Sequence, residues 1–386
     1  MAATGLDPHR LIAESESRTG LNNWGGSAFT EGLKAYCDAA SGDAGLAPNA
    51  RIETRDMILR LLSQRLALYR DRSLYPEIAD QRIERPLFIT GLPRSGSTLL
   101  HGLLAQDPRA RSIATWEHED ISPPARAQTY ADDPRIARTE ARIAAVPAQV
   151  QAIHAVGARL PDECNFITAL AFQSVNLHTR FYANAYVDWY LQADDTPAYE
   201  VHRHALQHMQ AFCTRDWWVL KSPPHLFHLP RLFATYPDAR VVFLHRDPAR
   251  TLPSITNLFS QAKRRSYADF DARRAGRETL AWWAEGLRRA LAFRAGATHA
   301  SRFFDLTYEG FIASPLKAAA RLYDWMGIDL APAATPMTRF LADHPKDKFG
   351  PHLYSAAEYG LDTASLRRHF ADYIDAFDIP LEPGAP

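Results

Sequence analysis

The sequence predicts a three-layer α/β domain built around a mainly parallel β-sheet. Four short apolar runs, each bounded by polar or proline-containing turns, have the length and composition of buried strands; they lie at residues 87–90, 217–220, 240–245 and 302–306. Segments with apolar residues at helical spacing follow several of these runs. Ligands of such folds bind across the carboxyl ends of the strands. The residues that directly follow each run are therefore the first candidates for function.

Composition and charge exclude several classes of protein. The 386 residues include 46% hydrophobic residues, enough for one large α/β domain with a substantial core. Lys plus Arg and Asp plus Glu number 44 each, so the overall charge favours neither nucleic acid nor an anionic membrane surface as a partner. The three cysteines are widely spaced, which indicates neither a disulfide framework nor a zinc site.

No apolar run approaches the length of a membrane-spanning helix, and the N-terminus lacks the pattern of a signal peptide. We therefore expect a cytoplasmic protein without a membrane span. Residues 1–82 carry apolar side chains at helical spacing and are predicted to form a helical N-terminal cap or an oligomerisation surface, so a homo-oligomer is compatible with the sequence. Residues 83–386 are expected to form the α/β domain, with a helical, aromatic-rich insertion at about 125–215.

The stretch after the first apolar run has the spacing of a phosphate-binding loop. Gly91 and Gly96 bracket a tight turn, and Ser97-Thr98 open a helical pattern. The first N–H groups of a helix have no internal partners, so they converge on an anion held in such a loop. A nucleoside-triphosphatase would carry lysine at Ser97; here the positive charge is supplied three positions earlier by Arg94. The loop therefore predicts a P-loop-like cradle for one terminal phosphate-like group.

The sequence PRSGST at this loop resembles the 5′-phosphosulfate loop of sulfotransferases that use 3′-phosphoadenosine 5′-phosphosulfate (PAPS). It is more similar to the tyrosylprotein and bacterial branch, which carries arginine, than to the cytosolic branch, which carries lysine. The resemblance implies PAPS as co-substrate and no metal. It also implies that the 5′-phosphosulfate is bound by Arg94, Ser95, Gly96, Ser97 and Thr98.

A second candidate anion site follows the third apolar run. Arg246 stands at the end of a predicted strand, and Ser254 lies eight residues later, about two turns along a predicted helix. An arginine and a serine so placed can hold a phosphate, the arginine through a charge-assisted fork. In the sulfotransferases that this chain resembles, an Arg-x7-Ser pair grips the 3′-phosphate of PAPS. Two anion sites on neighbouring strand ends match a nucleoside with phosphates at both ends.

The resemblance also supplies candidates for catalysis. In the tyrosylprotein enzymes a glutamate after the loop helix takes the proton of the acceptor; Glu117 best matches that position, and Glu119 is a competitor. Lys221 ends the second apolar run and is placed to face the same sheet edge as the loop. The cytosolic branch has a catalytic histidine two residues after its lysine, a position that Pro223 occupies here. His225, two residues further on, is the alternative base.

Two further cofactor contacts are implied near the end of the chain. A Tyr-Glu pair after the last core strand brings a tyrosine to the adenine in the family, which points to Tyr308. The cytosolic branch also places a basic loop over the 3′-phosphate near its end. Lys346 and Lys348 are the candidates for that role, although the motif does not match letter for letter.

We therefore predict in-line transfer of a sulfuryl group from PAPS to an acceptor hydroxyl, with a general base. Arg94, Lys221 and the loop N–H groups would neutralise the charge that develops. The aromatic insertion is expected to help form the pocket for a small-molecule or lipid acceptor. A P-loop-type nucleotide kinase and a non-catalytic nucleotide-binding protein remain alternatives; the kinase should carry lysine at Ser97, and the binder would need no base.

Overall fold

The computed structural model describes residues 5–145, 157–344 and 355–383. The sheet has five strands in the order β2-β3-β1-β4-β5, and every pairing is parallel. Its strands are β1 (Leu87–Gly91), β2 (Ala110–Arg111), β3 (Trp217–Lys221), β4 (Arg240–His245) and β5 (Phe303–Thr307). The predicted parallel α/β sheet is thus confirmed, with strand boundaries within one residue of those expected for the four long strands.

The helices in chain order, numbered among the described residues, surround this sheet. They are α1 (Pro8–Thr19), α2 (Phe29–Gly42), α3 (Pro48–Leu74), α4 (Ser97–Leu104), α5 (Thr115–Glu119), α6 (Pro134–Ala144), α7 (Asn165–Thr168), α8 (Val175–His178), α9 (Asn184–Gln192), α10 (Thr196–Gln210), α11 (Leu229–Thr235), α12 (Pro248–Ser266), α13 (Ala272–Arg294), α14 (Tyr308–Ala313), α15 (Pro315–Met326), α16 (Ala331–Asp343), α17 (Thr363–His369) and α18 (Ala371–Ala376). None of them is long and apolar enough to cross a membrane.

Alternate residues of the central strands enter two different cores, which is why the strands read as continuous apolar runs. On β1, Leu87 and Ile89 pack in a core with α4, α14, α15 and α16, whereas Phe88 faces the opposite side. On β4, Val242 and Leu244 share the first core, and the neighbouring positions share the second. Helices on both faces make the three layers.

The larger core also contains the N-terminal helices. Leu11, Phe29 and Leu62, from α1, α2 and α3, belong to the same buried cluster as Phe88 of the sheet. Apolar residues of the helical segment at 125–215 join this cluster too, including Tyr186 of α9. The division into a cap at 1–82 and a domain at 83–386 stays a prediction, and the packing adds that both parts share one core.

β1 lies between β3 and β4 in the sheet. The chain adds β2 and β3 on one side of β1 and then adds β4 and β5 on the other side. Such a reversal of strand order opens a crevice at the carboxyl ends of the strands. The register pairs Ile89 with Lys221 on one side of β1 and Gly91 with Leu244 on the other. The loops after β1, β3 and β4 therefore start at the same sheet edge.

Candidate functional site

The loop between β1 and α4 has a conformation that requires its glycines. Gly91 has φ +137°, and a Cβ there would lie 2.3 Å from the carbonyl oxygen of Leu244 on β4. Gly96 has φ +87° and would bring a Cβ to 3.1 Å from the ring of Tyr308. Arg94 adopts φ +68°, which is uncommon for a residue with a side chain and often accompanies function.

Polar groups of this loop are arranged to receive a ligand. Ser97 and Thr98 are the first residues of α4, so their backbone N–H groups are among the four without helical acceptors. The Ser95 hydroxyl is buried and has no hydrogen-bond partner within the described parts of the chain. Because buried hydroxyls are nearly always paired, this orphan fits a site that takes an anion from solution.

The structure brings the two predicted anion sites together. Arg94 Nε donates to Ser254 Oγ at 3.2 Å, and Arg246 Nη1 donates to the carbonyl oxygen of Arg94 at 2.7 Å. The Arg246 guanidinium carbon lies 3.7 Å from the centroid of the Tyr308 ring. Four side chains that the sequence predicts to bind the donor therefore form one contiguous cluster. They follow the carboxyl ends of three different strands, β1, β4 and β5.

Arg246 also has a partner that the sequence did not indicate. Its Nε and Nη2 donate to the two carboxylate oxygens of Glu382 at 2.7 and 2.8 Å. Glu382 is 136 residues away, in the C-terminal segment after α18. A carboxylate thus sits in the guanidinium fork that we assigned to a phosphate.

Lys221 lies at the same sheet edge and is bound to an acidic residue from the insertion. It is buried, and its Nζ donates to Glu163 Oε1 at 2.5 Å. Asn165 Nδ2 donates to the other oxygen, Glu163 Oε2, at 2.8 Å. The next residue after the lysine, Ser222, has a buried hydroxyl with no partner within the described ranges. Glu163 is the residue that sequence reasoning missed, since no spacing motif links it to Lys221.

His225 lies on the 3₁₀ turn Pro223–Phe227 that follows β3. Its Nδ1 lies 2.7 Å from the hydroxyl of Tyr199, and its Nε2 is buried with no partner among the residues described. Burial, with smaller effects of His202 and His228, lowers the pKa of His225 well below its ordinary value. Burial therefore favours the neutral ring, in which one nitrogen carries the hydrogen and the other a lone pair.

Glu117, the residue matched to the family's base, is engaged elsewhere. It is buried, and its Oε1 and Oε2 accept hydrogen bonds from Arg111 Nη2 and Nη1 at 2.5 and 2.8 Å. The Tyr130 hydroxyl donates to Oε2 at 3.0 Å. The competitor Glu119 accepts from Arg60 at 2.8 Å. The structure thus brings neither carboxylate into the hydrogen-bonded cluster of Arg94 and Arg246, nor to Lys221.

Lys346 and Lys348 lie outside the described residues. Within the ranges that the structure describes, no group of three His, Cys, Asp or Glu side chains is arranged to hold a metal ion.

Comparison with known proteins identifies the family of the chain. The sequence model of the sulfotransferase family matches residues 86–332. Omega-hydroxy-beta-dihydromenaquinone-9 sulfotransferase Stf3 of Mycobacterium tuberculosis is 24% identical over 303 residues, which is 76% of this chain and 74% of the relative. The same enzyme of Mycobacterium bovis matches equally.

Two solved structures are similar over nearly their whole length. Sulfotransferase STF9 from Mycobacterium avium is 30% identical with a TM-score of 0.89, and the match covers 97% of each chain. Sulfotransferase STF1 from Mycobacterium tuberculosis is 30% identical with a TM-score of 0.83, covering 96% of this chain and 100% of that one. The family match over residues 86–332 and these two structural matches establish that the chain belongs to the sulfotransferase family and is a transferase that moves sulfuryl groups.

Proposed function

We propose that the protein transfers the sulfuryl group of PAPS to a hydroxyl of a small-molecule or lipid acceptor. The observation that carries the proposal is the contact between its two anion sites, in which Arg246 donates to the backbone of Arg94 while Arg94 donates to Ser254. A donor with a phosphosulfate at one end of a nucleoside and a phosphate at the other needs two such sites on one crevice. Members of the sulfotransferase family use PAPS in general.

The loop end of the crevice is proposed to hold the 5′-phosphosulfate. The N–H groups at Ser97 and Thr98, the Ser95 hydroxyl and the Arg94 guanidinium supply donors there. Lys221 adds a buried ammonium at the end of the adjacent strand. Fixed donors of this kind stabilise the charge that develops on the sulfuryl oxygens and on the departing phosphate.

The other end is proposed to hold the 3′-phosphate and the adenine. Arg246 offers a planar fork suited to phosphate, and Ser254 offers a hydroxyl on the first half of α12. Tyr308 stacks on Arg246 and is half-buried, which supports the proposal that its ring contacts the adenine. Lys346 and Lys348 remain candidates for covering the 3′-phosphate on the strength of the sequence resemblance alone.

For the base we propose Glu163 in place of Glu117 or Glu119. A base must reach the acceptor hydroxyl beside the sulfuryl group. Glu163 contacts Lys221 directly, and its side chain keeps 18% of its surface exposed. Glu117 is 3% exposed and paired with Arg111, which suits it to a structural role. His225 is the second candidate, because its Nε2 is unpaired within the described chain and it lines a cavity with Ser222, Thr168 and Tyr199.

The proposed reaction is a single in-line displacement. The acceptor oxygen forms a bond to sulfur while the bond between sulfur and the bridging oxygen of the 5′-phosphate breaks. The hydroxyl proton passes to the carboxylate of Glu163. The products are a sulfate ester and 3′,5′-adenosine bisphosphate. The bisphosphate carries away the negative charge of the broken bond, and Arg94 and Lys221 are proposed to stabilise that charge.

The acceptor class is drawn from a relative and not from a cavity of this chain. The cavity beside Ser222 and His225 has a volume of about 20 Å³, which is room for about one water molecule and too small for an acceptor. The name of the mycobacterial relative Stf3 describes a hydroxylated menaquinone derivative as its substrate. We therefore favour an acceptor with an apolar body and one hydroxyl. A homo-oligomer stays a prediction from the sequence.

The test is calorimetric titration of the full chain with 3′,5′-adenosine bisphosphate and, separately, with ATP and magnesium. We expect the bisphosphate to bind well and ATP poorly. Arg246→Ala should weaken bisphosphate binding at least tenfold, because a charge-assisted fork is lost. Arg288→Ala, which removes an exposed arginine paired with Glu285, is the matched control and should leave binding unchanged. Equal or better binding of ATP, or no bisphosphate binding, would overturn the donor assignment.

A further inference from the structure

The C-terminal segment at residues 380–383 crosses the site that we assign to the 3′-phosphate. Glu382 presents both carboxylate oxygens to the Nε and Nη2 of Arg246, at 2.7 and 2.8 Å. Arg250 Nε lies 3.9 Å from the same carboxylate. A carboxylate in a guanidinium fork uses the donors that two phosphate oxygens would use. One group can occupy that fork at a time.

A second set of contacts fixes the segment in this position. The backbone N–H of Glu382 donates to Asp247 Oδ2 at 3.1 Å. Arg367 Nη2 donates to the same Asp247 oxygen at 2.6 Å and also to the backbone carbonyl of Glu382. Asp247 is buried and caps α12 by accepting from the N–H of Ala249 at 2.9 Å. The segment is thus tied to the helix that carries Ser254.

The charges around Arg246 make simultaneous binding of the segment and a phosphate unfavourable. Glu309 follows Tyr308 on α14, and its carboxylate is close enough to Glu382 to be affected by its charge. Burial, and then the neighbouring Glu382, raise the pKa of Glu309. A phosphate dianion brought to Arg246 while Glu382 stays beside it would be repelled by the Glu382 carboxylate. Moving Glu382 out of the fork removes this repulsion.

We propose that residues 380–383 form an autoinhibitory latch in which Glu382 occupies Arg246 until the 3′-phosphate of the donor displaces it. This inference rests on the proposed function, because it takes Arg246 as the 3′-phosphate site. The apparent affinity for donor and product is the intrinsic affinity multiplied by the fraction of molecules in which the latch is open. It acts on nucleotides that carry a 3′-phosphate and leaves those without one unaffected.

Two variants of the full chain test the latch in binding. Glu382→Gln removes the charge from the fork, and a chain ending at Leu381 removes the side chain and the residues after it. Both should bind 3′,5′-adenosine bisphosphate about tenfold more tightly than wild type, a coupling of ordinary size. Binding of 5′-adenosine monophosphate should not change. Glu358→Gln is the control, because that exposed glutamate pairs with Arg264 near the same end of the chain.

A readout without nucleotide separates the latch from the donor site. The backbone N–H at position 382, which donates to Asp247, should be less protected from deuterium exchange in Glu382→Gln than in wild type or Glu358→Gln. Equal protection would overturn the latch whatever the nucleotide data show. Lower protection with unchanged bisphosphate affinity would overturn autoinhibition, since the segment would then not compete with donor. If the assignment of the donor site is itself wrong, neither wild type nor any variant will bind the bisphosphate, and this outcome is distinct from the two above.

Discussion

Lys221 donates a 2.5 Å hydrogen bond from its Nζ to Glu163 Oε1, and this contact joins the end of β3 to the segment before α7. The lysine side chain is 2% exposed and the glutamate side chain 18% exposed. The second carboxylate oxygen is held by Asn165, whose own side-chain oxygen accepts from Asn176 at 3.1 Å. The pair therefore presents one fixed carboxylate beside a buried cation at the sheet edge where the donor is proposed to bind.

Glu163→Gln should reduce turnover with little effect on nucleotide binding. Glutamine keeps the shape and one hydrogen-bond acceptor but cannot take a proton, so kcat should fall about 10²–10⁴-fold, the usual contribution of a general base. The affinity for 3′,5′-adenosine bisphosphate should stay within about twofold, because turnover and not binding needs the base. Product formation with a fixed acceptor measures the first quantity, and calorimetry measures the second. Glu119→Gln serves as the carboxylate control. Full activity in Glu163→Gln would transfer the role to His225.

Glu117→Ala should lower stability far more than a surface substitution would. It leaves the Arg111 guanidinium buried without the carboxylate that its two Nη atoms bind. Breaking a buried ion pair from one side costs about 3–5 kcal/mol. Urea unfolding followed by circular dichroism gives the free energy of unfolding. A folded Glu117→Ala protein of unchanged stability that has lost its turnover would instead return Glu117 to the role of base.

Gly91→Ala should destabilise the protein by more than about 2 kcal/mol. The position has φ +137°, and the added Cβ would meet the carbonyl oxygen of Leu244 at 2.3 Å, a backbone atom that cannot move without disturbing β4. Gly42→Ala is the matched control. Gly42 ends α2, has open space around it and adopts no left-handed φ, so alanine there should be neutral or stabilising by up to about 1 kcal/mol. Thermal unfolding of the two variants in parallel decides the matter, and similar midpoints would contradict the geometry.

The parts of the structure that could be predicted from sequence depend on neighbours in the chain. The strand at Leu87–Gly91, the turn after it and the start of α4 at Ser97 are each encoded by an apolar run, glycines and polar residues within a dozen positions. The parallel sheet followed from repeating that pattern. Arg246 and Ser254 were found because both lie on one strand-to-helix connection.

The contacts that sequence could not supply join distant segments. Glu163 meets Lys221 across 58 residues, and Glu382 meets Arg246 across 136. Glu117 lies six residues from Arg111, yet its burial depends on packing against elements far along the chain, such as the Met209 carbonyl that also binds Arg111. The position of Glu117 after the loop helix suggested a base. Its ion pair with Arg111 depends on the folded core and could not be predicted from that position.

His202→Gln should weaken the dependence of stability on pH below neutrality. His202 is fully buried, its Nδ1 lies 2.7 Å from the Tyr236 hydroxyl, and burial lowers its pKa from 6.5 to about 3. The unfolded chain therefore binds a proton below pH 6.5 that the folded protein excludes. This contribution to stability is complete above about pH 6.5 and is lost as the pH falls toward 3, by at most about 1.4 kcal/mol per pH unit.

The measurement is urea unfolding of wild type and His202→Gln at pH 7.5, 6.0 and 5.0. Burial also lowers the pKa values of His101 and His178 to about 3, so the free energy of unfolding of wild type should fall steeply over this range. The free energy of unfolding of the variant should fall less steeply, because the buried His202 is absent. Replacing the exposed His9 by Gln is the control and should leave the slope unchanged. Parallel slopes for all three proteins would mean that His202 does not remain neutral in the folded state, and that protonation is accommodated in the core around Tyr236.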